Sequence, residues 1–378
     1  MKKATIGSAF GIGAIIVLVV LFRVSILVKN VLFPPKIEPA NHAYDILPAI
    51  QFPENIVAQN LTYSLNTISG ELPEFPDRIN VFPVIHPEPN LLNLDHAKEK
   101  ALSLGFINIA GNLLPETALG DSVYQWKETS GINRKFTINT VNFNFDLKSD
   151  YITSITVLTA QYLSSQDNAI QVSHSFLDTI NLFPDDINLE KTTTPNQTAK
   201  YVTYPQLFSI KNGELIPTTS LSKAQIIRVD LYQKDMEYEL NTGVTNDQKV
   251  LKRIEMKLPI MYPHPPYSTM SFLVGSGQGD ARVVSADFVH QEIQLPAKDE
   301  EEATYPLKAA QTAFKELKDG NAYIAAYNGA DTQILIKDVY LAYYLGEKEQ
   351  SYLMPVYVFE GENGFFAYVS AVSTDWIQ

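Results

Sequence analysis

The chain has 378 residues, contains no cysteine and carries a formal net charge of −13 at neutral pH. The lack of cysteine excludes disulfides, thiolate metal sites and cysteine nucleophiles. The acidic surplus argues against a nucleic-acid partner, because such binding neutralises phosphates with lysine and arginine; cationic ligands, divalent ions and basic protein surfaces remain compatible with it.

The first part of the chain predicts a membrane anchor. Residues Ala4 to Phe22 are uncharged and follow two lysines, and an apolar helix needs about 20 residues to cross a bilayer. We therefore predict a cytoplasmic tip and transmembrane anchor over residues 1–29, with residues 4–28 in contact with membrane lipid.

This anchor predicts a single-pass plasma-membrane protein with a cytoplasmic N-terminus and an extracytoplasmic body. Two alternatives stay open. One is a cleaved signal peptide, although no small-residue cleavage site follows the apolar stretch. The other is the reverse orientation, which Arg23, Lys29 and Lys36 favour. The absence of cysteine favours a bacterial envelope, since secreted eukaryotic domains of this size usually contain disulfides.

The segment after the anchor predicts a spacer. Residues 30–60 contain five prolines and no sustained apolar periodicity. Proline favours extended backbone, so we predict a semi-extended stalk.

Three later segments have the spacing of amphipathic helices. The first ends at Gly105, which can adopt a left-handed cap. The second begins at Ser164 with a capping-box-like pattern and stops before Pro184. The third follows an acidic run and ends before Gly320. Their apolar positions are Leu94, Ala97, Ala101 and Leu104; Ala169, Val172, Phe176 and Ile180; and Leu307, Ala310, Phe314 and Leu317.

Strand-like runs follow each predicted helix. Apolar residues alternate strictly over residues 141–147, which is typical of a half-buried strand. Asn212-Gly213 and Asn363-Gly364 predict tight turns and therefore antiparallel hairpins. The other runs cover residues 123–129, 201–210, 226–232, 333–345, 352–359 and 365–372.

A recurring pattern predicts repeated modules. An isoleucine, a valine and a large apolar residue recur with I-x-x-V-x-L/F spacing from Ile138, Ile226 and Ile336. We therefore predict an α+β fold, in which a single N-terminal transmembrane helix precedes two or three modules of one helix on an antiparallel sheet. The predicted modules cover residues 61–160, 161–279 and 280–378. The alternative is a convergent α+β pattern without true repetition.

Two prolines suggest sheet edges that could bind a partner. Pro259 and Pro355 cannot donate to a strand ladder, so their strands should begin there or lie at an edge, where another chain can add a strand. We predict partner contacts along the strands Leu353–Phe359 and Phe365–Ala371. The candidate contact residues are Tyr352, Met354, Pro355, Tyr357, Phe359, Phe365 and Tyr368. The alternatives are a protected strand end and ordinary aromatic packing.

The C-terminal module resembles a known family. One helix on an antiparallel sheet behind an N-terminal anchor is similar to PepSY-type modules and to the extracytoplasmic Yyc-type accessory proteins that restrain membrane sensor kinases. The resemblance rests on residues Tyr305–Leu317, Val339–Tyr344 and Leu353–Phe359. It implies a non-enzymatic binder or regulator and assigns no catalytic residue.

No segment predicts a catalytic, cofactor or metal site. The six histidines form no H-x-x-x-H pair, and Ser276 lacks the spacer of a nucleophile elbow. We interpret the surrounding glycine-rich residues 275–279 as a flexible joint between modules. Asp186, Asn188 and Glu190 alternate like calcium ligands but lack the glycine and glutamate of an EF-hand loop, so a solvated loop is the simpler interpretation.

The leading hypothesis is therefore a membrane-anchored, extracytoplasmic, non-catalytic binding or regulatory protein of the bacterial envelope. It would contact a protein partner through sheet edges or module interfaces. Two alternatives stay open: a cell-surface glycan or peptide hydrolase whose carboxylates the sequence does not locate, and a structural surface or assembly component. The sequence predicts no oligomeric state.

Overall fold

The computed structural model describes residues 39–55, 61–159, 165–190, 205–244, 251–277, 282–296 and 302–378, together with Leu163 and Thr203. The helices in these ranges are α1 (Asn93–Ser103), α2 (Ile155–Leu158), α3 (Gln166–Thr179) and α4 (Ala310–Lys318). The strands are β1 (Thr62–Leu65), β2 (Arg78–Asn80), β3 (Phe82–Pro83), β4 (Thr117–Ala118), β5 (Val123–Lys127), β6 (Lys135–Asn139), β7 (Phe145–Lys148), β8 (Gln206–Lys211), β9 (Glu214–Pro217), β10 (Ile226–Leu231), β11 (Met236–Val244), β12 (Leu251–Leu258), β13 (Ile260–Met261), β14 (Met270–Val274), β15 (Val283–Phe288), β16 (Thr304–Pro306), β17 (Tyr323–Ala326), β18 (Gln333–Tyr344), β19 (Tyr352–Gly361) and β20 (Phe366–Ser370).

Strands from the middle of the chain, from Thr117 to Phe288, form a nine-stranded antiparallel sheet. Its strand order is β4-β5-β6-β7-β15-β14-β10-β8-β9. Helices α1 and α3 cover one face with small and aromatic side chains, among them Ala101 and Phe176, over the fully buried Trp126, Phe136 and Phe272. On the opposite face, the short helix α2 covers a smaller apolar cluster.

The second sheet has seven strands and is built around β18. Strand β19 pairs antiparallel with one edge of β18, so β1 and β13, which both pair parallel with β18, share its other edge. Beyond β19 the order continues through β20 to β17. Helix α4 packs on one face of this sheet, and Ile50 and Phe52 pack on the other.

A long hairpin of β11 and β12 completes the core beside α4. Its paired residues Met236 and Leu258, and then Tyr238 and Met256, face the apolar core of the seven-stranded sheet. None of the strand-like runs predicted from the sequence covers this hairpin. Its strands alternate apolar and charged side chains, as half-buried strands do.

The predicted α+β fold class is wrong. The described residues are mostly β-sheet, with 37% of them in strands and 17% in helices, and no helix among them is long and apolar enough to cross a membrane. The predicted anchor, residues 4–28, lies outside the described residues. The plasma-membrane location therefore stays a prediction from the sequence.

Separate helix-on-sheet modules are also absent from the described chain, because strands from distant segments share sheets. Strand β15 pairs on one side with β7 and on the other with β14. The three strands β7, β14 and β15 lie in the three different predicted modules, yet they are neighbours in one sheet. The glycine-rich residues after β14 connect two neighbouring strands of one sheet, and the N–H of Gly275 donates to the carbonyl of Arg282 at 2.9 Å.

The first copy of the recurring pattern spans a turn and not a strand. Asn139 Oδ1 accepts from the N–H of Val141 at 2.8 Å, and Asn142 Oδ1 accepts from the N–H of Asn144 at 3.0 Å. Such side-chain bonds compete with strand pairing, and Phe143 has a positive φ of 57°. The strand predicted over residues 141–147 consequently begins only at Phe145.

The local elements were predicted better than their assembly. Helices α1, α3 and α4 are confirmed, and Ser165 caps α3 by accepting from the N–H of Asn168. Leu307, predicted on the apolar face of the third helix, instead precedes α4 and forms a bridge with Val372. Asn212 and Gly213 form the predicted two-residue turn with φ of 53° and 80°, and β8 and β9 pair antiparallel around it. The second Asn-Gly pair also lies in an antiparallel hairpin, between β19 and β20.

The described part of the predicted stalk lies against the body. Leu47 is fully buried and forms a parallel bridge with Ile377. Asn55 Oδ1 accepts from the N–H of Ile324 at 2.8 Å, at the outer edge of β17. Residues 39–55 therefore belong to the folded structure.

Candidate binding cleft

The predicted contact residues lie mostly inside the protein. Strand β19 has neighbours on both edges, β18 and β20, with β3 beside its first residues. Only Tyr352 is partly exposed; the other predicted contact residues are buried, and they are Met354, Pro355, Tyr357, Phe359, Phe365 and Tyr368. Burial removes the reason for choosing these side chains as contacts.

Pro355 has a structural role that does not require an exposed edge. Pro355 pairs with Tyr343 of β18, and that ladder continues to Met354 and Tyr344, whereas the ladder between β19 and β20 begins only at Val356. The carbonyl of Pro355 accepts from the N–H of Ala371 at 3.0 Å. Because the N and O of one residue point to the same side of a strand, the missing N–H faces the end of the β20 ladder and costs no pairing.

A cleft lies elsewhere, where the end of the nine-stranded sheet meets the β11–β12 hairpin. Its volume is about 770 Å³. The lining comes from residues 185–190 after α3, from residues 233–237 at the start of the hairpin, and from Lys257, Ile260, Ile293 and Leu295.

Main-chain bonds position the first wall. Ile187 and Gln233 form an antiparallel bridge, flanked by bonds from the N–H of Asn188 to the carbonyl of Tyr232 and from the N–H of Lys234 to the carbonyl of Asp186. The segment 185–190 is thereby fixed beside the strand that leaves β10.

Asp186 joins this wall to the rest of the protein. One carboxylate oxygen accepts from Gln233 Nε2 at 2.7 Å, and the other lies 2.9 Å from His290 Nε2. Burial alone would raise the pKa of Asp186, but these two hydrogen bonds and the charge of His290 hold it below its usual range. Asp186 is therefore ionised at neutral pH, and each of its carboxylate oxygens has a side-chain partner.

The second wall contains Asp235 and Glu237, and its surroundings disfavour the ionised form of Asp235. Lys257 Nζ lies 2.6 Å from Glu237 and 3.9 Å from Asp235, and the hydrogen bond to Glu237 raises the pKa of Lys257. The side chain of Asp235 is 25% exposed. Burial raises its pKa, and Glu237 and Glu190 raise it further, while Lys257 offsets only part of this effect.

The remaining charges leave an acidic surplus in the cleft. Lys234 Nζ donates to the carbonyl of Asp185 at 2.8 Å, so its charge is directed at a main-chain oxygen. Within the described ranges, the carboxylates of Asp185 and Glu190 have no ion-pair partner within 4 Å. Five acidic side chains thus share the lining with two lysines.

The floor of the cleft is apolar. Met236 and Ile260 are buried in the core of the seven-stranded sheet, and Ile293 packs against the same core. Leu295 stands at the rim with 63% of its surface exposed. An acidic wall over such a floor can hold a cation and an apolar group of one ligand together.

One sequence pattern indicates this site indirectly. Asp186, Asn188 and Glu190 were noticed for their alternation, and all three line the cleft. Within the described ranges, no group of three or more His, Cys, Asp or Glu side chains is arranged to hold a metal ion. The sequence does not indicate Asp235, Glu237 and Lys257, because no strand is predicted for the hairpin that brings them together.

Comparison with known proteins does not identify the chain. No protein-family model matches it, and no curated protein matches it. The resemblance to PepSY-type and Yyc-type proteins stays a prediction from the sequence, and the case for a function depends on the cleft.

Proposed function

We propose that this chain is a binding protein whose cleft takes a basic, partly apolar segment of a partner protein. The observation that carries the proposal is the combination of an acidic wall, with Asp235 and Glu237 at its centre, and an apolar floor of Met236, Ile260 and Ile293.

Charge complementarity supports a cationic ligand. The ionised form of Asp235 is disfavoured by burial and by its acidic neighbours, and an incoming lysine or arginine would relieve that cost. Lys257 reaches Asp235 only at 3.9 Å, because its short contact is with Glu237. A further cation therefore has a carboxylate to approach.

The apolar floor supports a peptide more than a small ion. A free ion gains nothing from Met236, Ile260 and Leu295, whereas a peptide can place an aliphatic side chain on them beside a basic one. This agrees with the sequence-based hypothesis of an extracytoplasmic protein partner, whose location in a bacterial envelope remains a prediction.

The proposal can be tested on an array of random decapeptides probed with the full-length chain in non-ionic detergent. We expect bound peptides to be enriched in Lys or Arg beside Val, Ile or Leu. The double substitution Asp235→Asn with Glu237→Gln should weaken binding of the best peptide about tenfold, as measured by fluorescence anisotropy.

A matched control separates this site from the general charge of the protein. Glu54→Gln with Asp121→Asn makes the same charge change at exposed positions outside the cleft, and should leave the affinity unchanged. Enrichment of acidic peptides, or equal loss of binding in both double variants, would overturn the proposal.

A further inference from the structure

One rim of the cleft is a short strand-like segment that is paired on a single edge. The N–H of Gln294 donates to the carbonyl of Pro83 at 2.9 Å, and the carbonyl of Glu292 accepts from the N–H of Ile85 at 2.8 Å. Ile293 and Val84 form the antiparallel bridge between these bonds. The main-chain N–H and C=O groups of the even-numbered residues, Glu292 and Gln294, therefore point toward β3.

The main-chain N–H and C=O groups of the odd-numbered residues point away from β3, because these groups alternate sides along a strand. The carbonyl of Gln291 accepts from Gln233 Nε2 at 3.1 Å, and Gln233 lines the cleft. This bond shows that the free edge of the segment faces the cleft.

The main-chain groups of the next two odd-numbered residues have no comparable hydrogen bond. Among the described residues, the main-chain N–H and C=O groups of Ile293 and Leu295 have no hydrogen-bond partner. Both residues line the cleft, and Ile293 is half-buried. Pro296 is the last residue described in this segment, so the open edge within the described residues covers 293–295.

We propose that the partner segment binds in an extended conformation, as an added strand on the main chain of residues 293–295. This inference rests on the proposed function and specifies how the peptide is held. An added strand would make about four main-chain hydrogen bonds to Ile293 and Leu295.

An extended peptide also fits the two surfaces of the cleft. Its side chains alternate between two faces with a period of two, so aliphatic residues at every second position can lie on the floor. The basic residues between them then face the wall that carries Asp235 and Glu237. The partner chemistry is thus an alternating basic and aliphatic segment of a protein.

The test uses the labelled peptide Gly-Ser-Lys-Val-Lys-Val-Lys-Ser-Gly and the full-length chain in non-ionic detergent. Two derivatives carry N-methyl groups, either on both valines or on the two outer lysines. The N–H groups of the two sets point to opposite sides of an extended strand. We expect one set to weaken binding at least tenfold and the other to leave the affinity within about twofold.

A pair of protein variants tests the same edge from the other side. Leu295→Ala removes the side chain and keeps the N–H, whereas Leu295→Pro also removes the donor. We expect Leu295→Pro to bind the peptide about tenfold more weakly than Leu295→Ala, with both variants matching the wild-type melting temperature within a few degrees.

The outcomes separate the two proposals. If the unmodified peptide binds and neither set of N-methyl groups weakens it, or both sets weaken it equally, strand addition is overturned while the basic-peptide cleft stands. If a peptide with glutamate in place of lysine binds as well as the original, the proposed function itself fails.

Discussion

Asp186 and Asp235 line the same cleft, but the surroundings of Asp186 favour its ionised form, whereas those of Asp235 disfavour it. The bonds from His290 and Gln233 hold the pKa of Asp186 below its usual range. Burial and the nearby Glu237 and Glu190 raise the pKa of Asp235. Ionised Asp186 therefore stabilises the folded chain, and ionised Asp235 destabilises it. A residue that costs stability in a cleft is a candidate for binding.

Replacing Asp186 with asparagine should lower the free energy of unfolding by about 1 kcal/mol at pH 7, because a charge-assisted hydrogen bond to a partly exposed group is lost. A depressed folded-state pKa gives stability that is present above the unfolded value of about 3.9 and lost as pH falls through the folded value. Urea unfolding from pH 7 to pH 3 should show the difference between the two proteins shrinking below about pH 4.

The adjacent Asp185 provides the control for this change. Its carboxylate has no ion-pair partner within the described ranges, so Asp185→Asn should change the stability by less than about 0.5 kcal/mol. Equal losses from the two substitutions would show that the bonds of Asp186 to His290 and Gln233 contribute nothing specific.

The opposite result is expected for Asp235→Asn. A raised folded-state pKa means that the ionised form costs stability above that pKa, and that this cost disappears below the unfolded value of about 3.9. The variant should therefore melt at the same or a slightly higher temperature at pH 7, while binding the basic peptide about fivefold more weakly. Lower stability together with unchanged binding would make Asp235 a structural residue and contradict its role in the cleft.

At the scale of elements, the β11–β12 hairpin depends on its inner face. Leu258 is buried and packs with Met236 in the core of the seven-stranded sheet, whereas Glu255 is exposed. The hairpin also supplies Asp235, Glu237 and Lys257 to the cleft region. Loosening the hairpin should therefore affect stability and binding together.

Leu258→Ala should lower the free energy of unfolding by about 2–4 kcal/mol, since it removes buried apolar surface and leaves a cavity. Chemical denaturation measures this loss. Glu255→Ala, on the exposed side of the same strand, should cost less than about 0.5 kcal/mol. If both substitutions had equally small effects, the inner face of the hairpin would not be packed as described.

Elements were predictable from sequence where the signal is local. The helix spacing around Ala97 and Ala101 and the turn at Asn212-Gly213 depend on residues a few positions apart, and both predictions are confirmed. The alternation over residues 141–147 misled because Asn139 and Asn142 form side-chain turns within it. These side-chain hydrogen bonds stabilise a turn where the apolar periodicity alone favours a strand.

At the scale of the whole molecule, the assembly of the sheets could not be predicted from local patterns. Strand β15 pairs with β7 across about 140 positions, and β1 pairs with β18 across more than 260. No local periodicity states which strands will pair over such separations. The cleft was missed for the same reason, because residues 185–190, 233–237 and 293–295 meet only after both sheets form.

A chain of buried amides joins the nine-stranded sheet to the loop between β18 and β19. Gln233 Nε2 donates to the carbonyl of Gln291 at 3.1 Å, and Gln291 Nε2 donates in turn to the carbonyl of Gly346 at 2.9 Å. Gln291 Oε1 accepts from the N–H of Gln350 at 3.1 Å. These bonds hold the free edge of residues 293–295 in place beside the cleft.

Gln291→Leu should therefore cost about 2–3 kcal/mol, because a similar apolar side chain leaves the partners of Gln291 unsatisfied. Hydrogen exchange should become faster in residues 345–352 and in the rim 291–295, while α1 and α3 keep their protection. Gln294→Leu is the matched control, since the Gln294 side chain is exposed and its main-chain bond to Pro83 is retained. Uniform acceleration over both sheets would instead mean that the amides contribute only to global stability and do not position the rim.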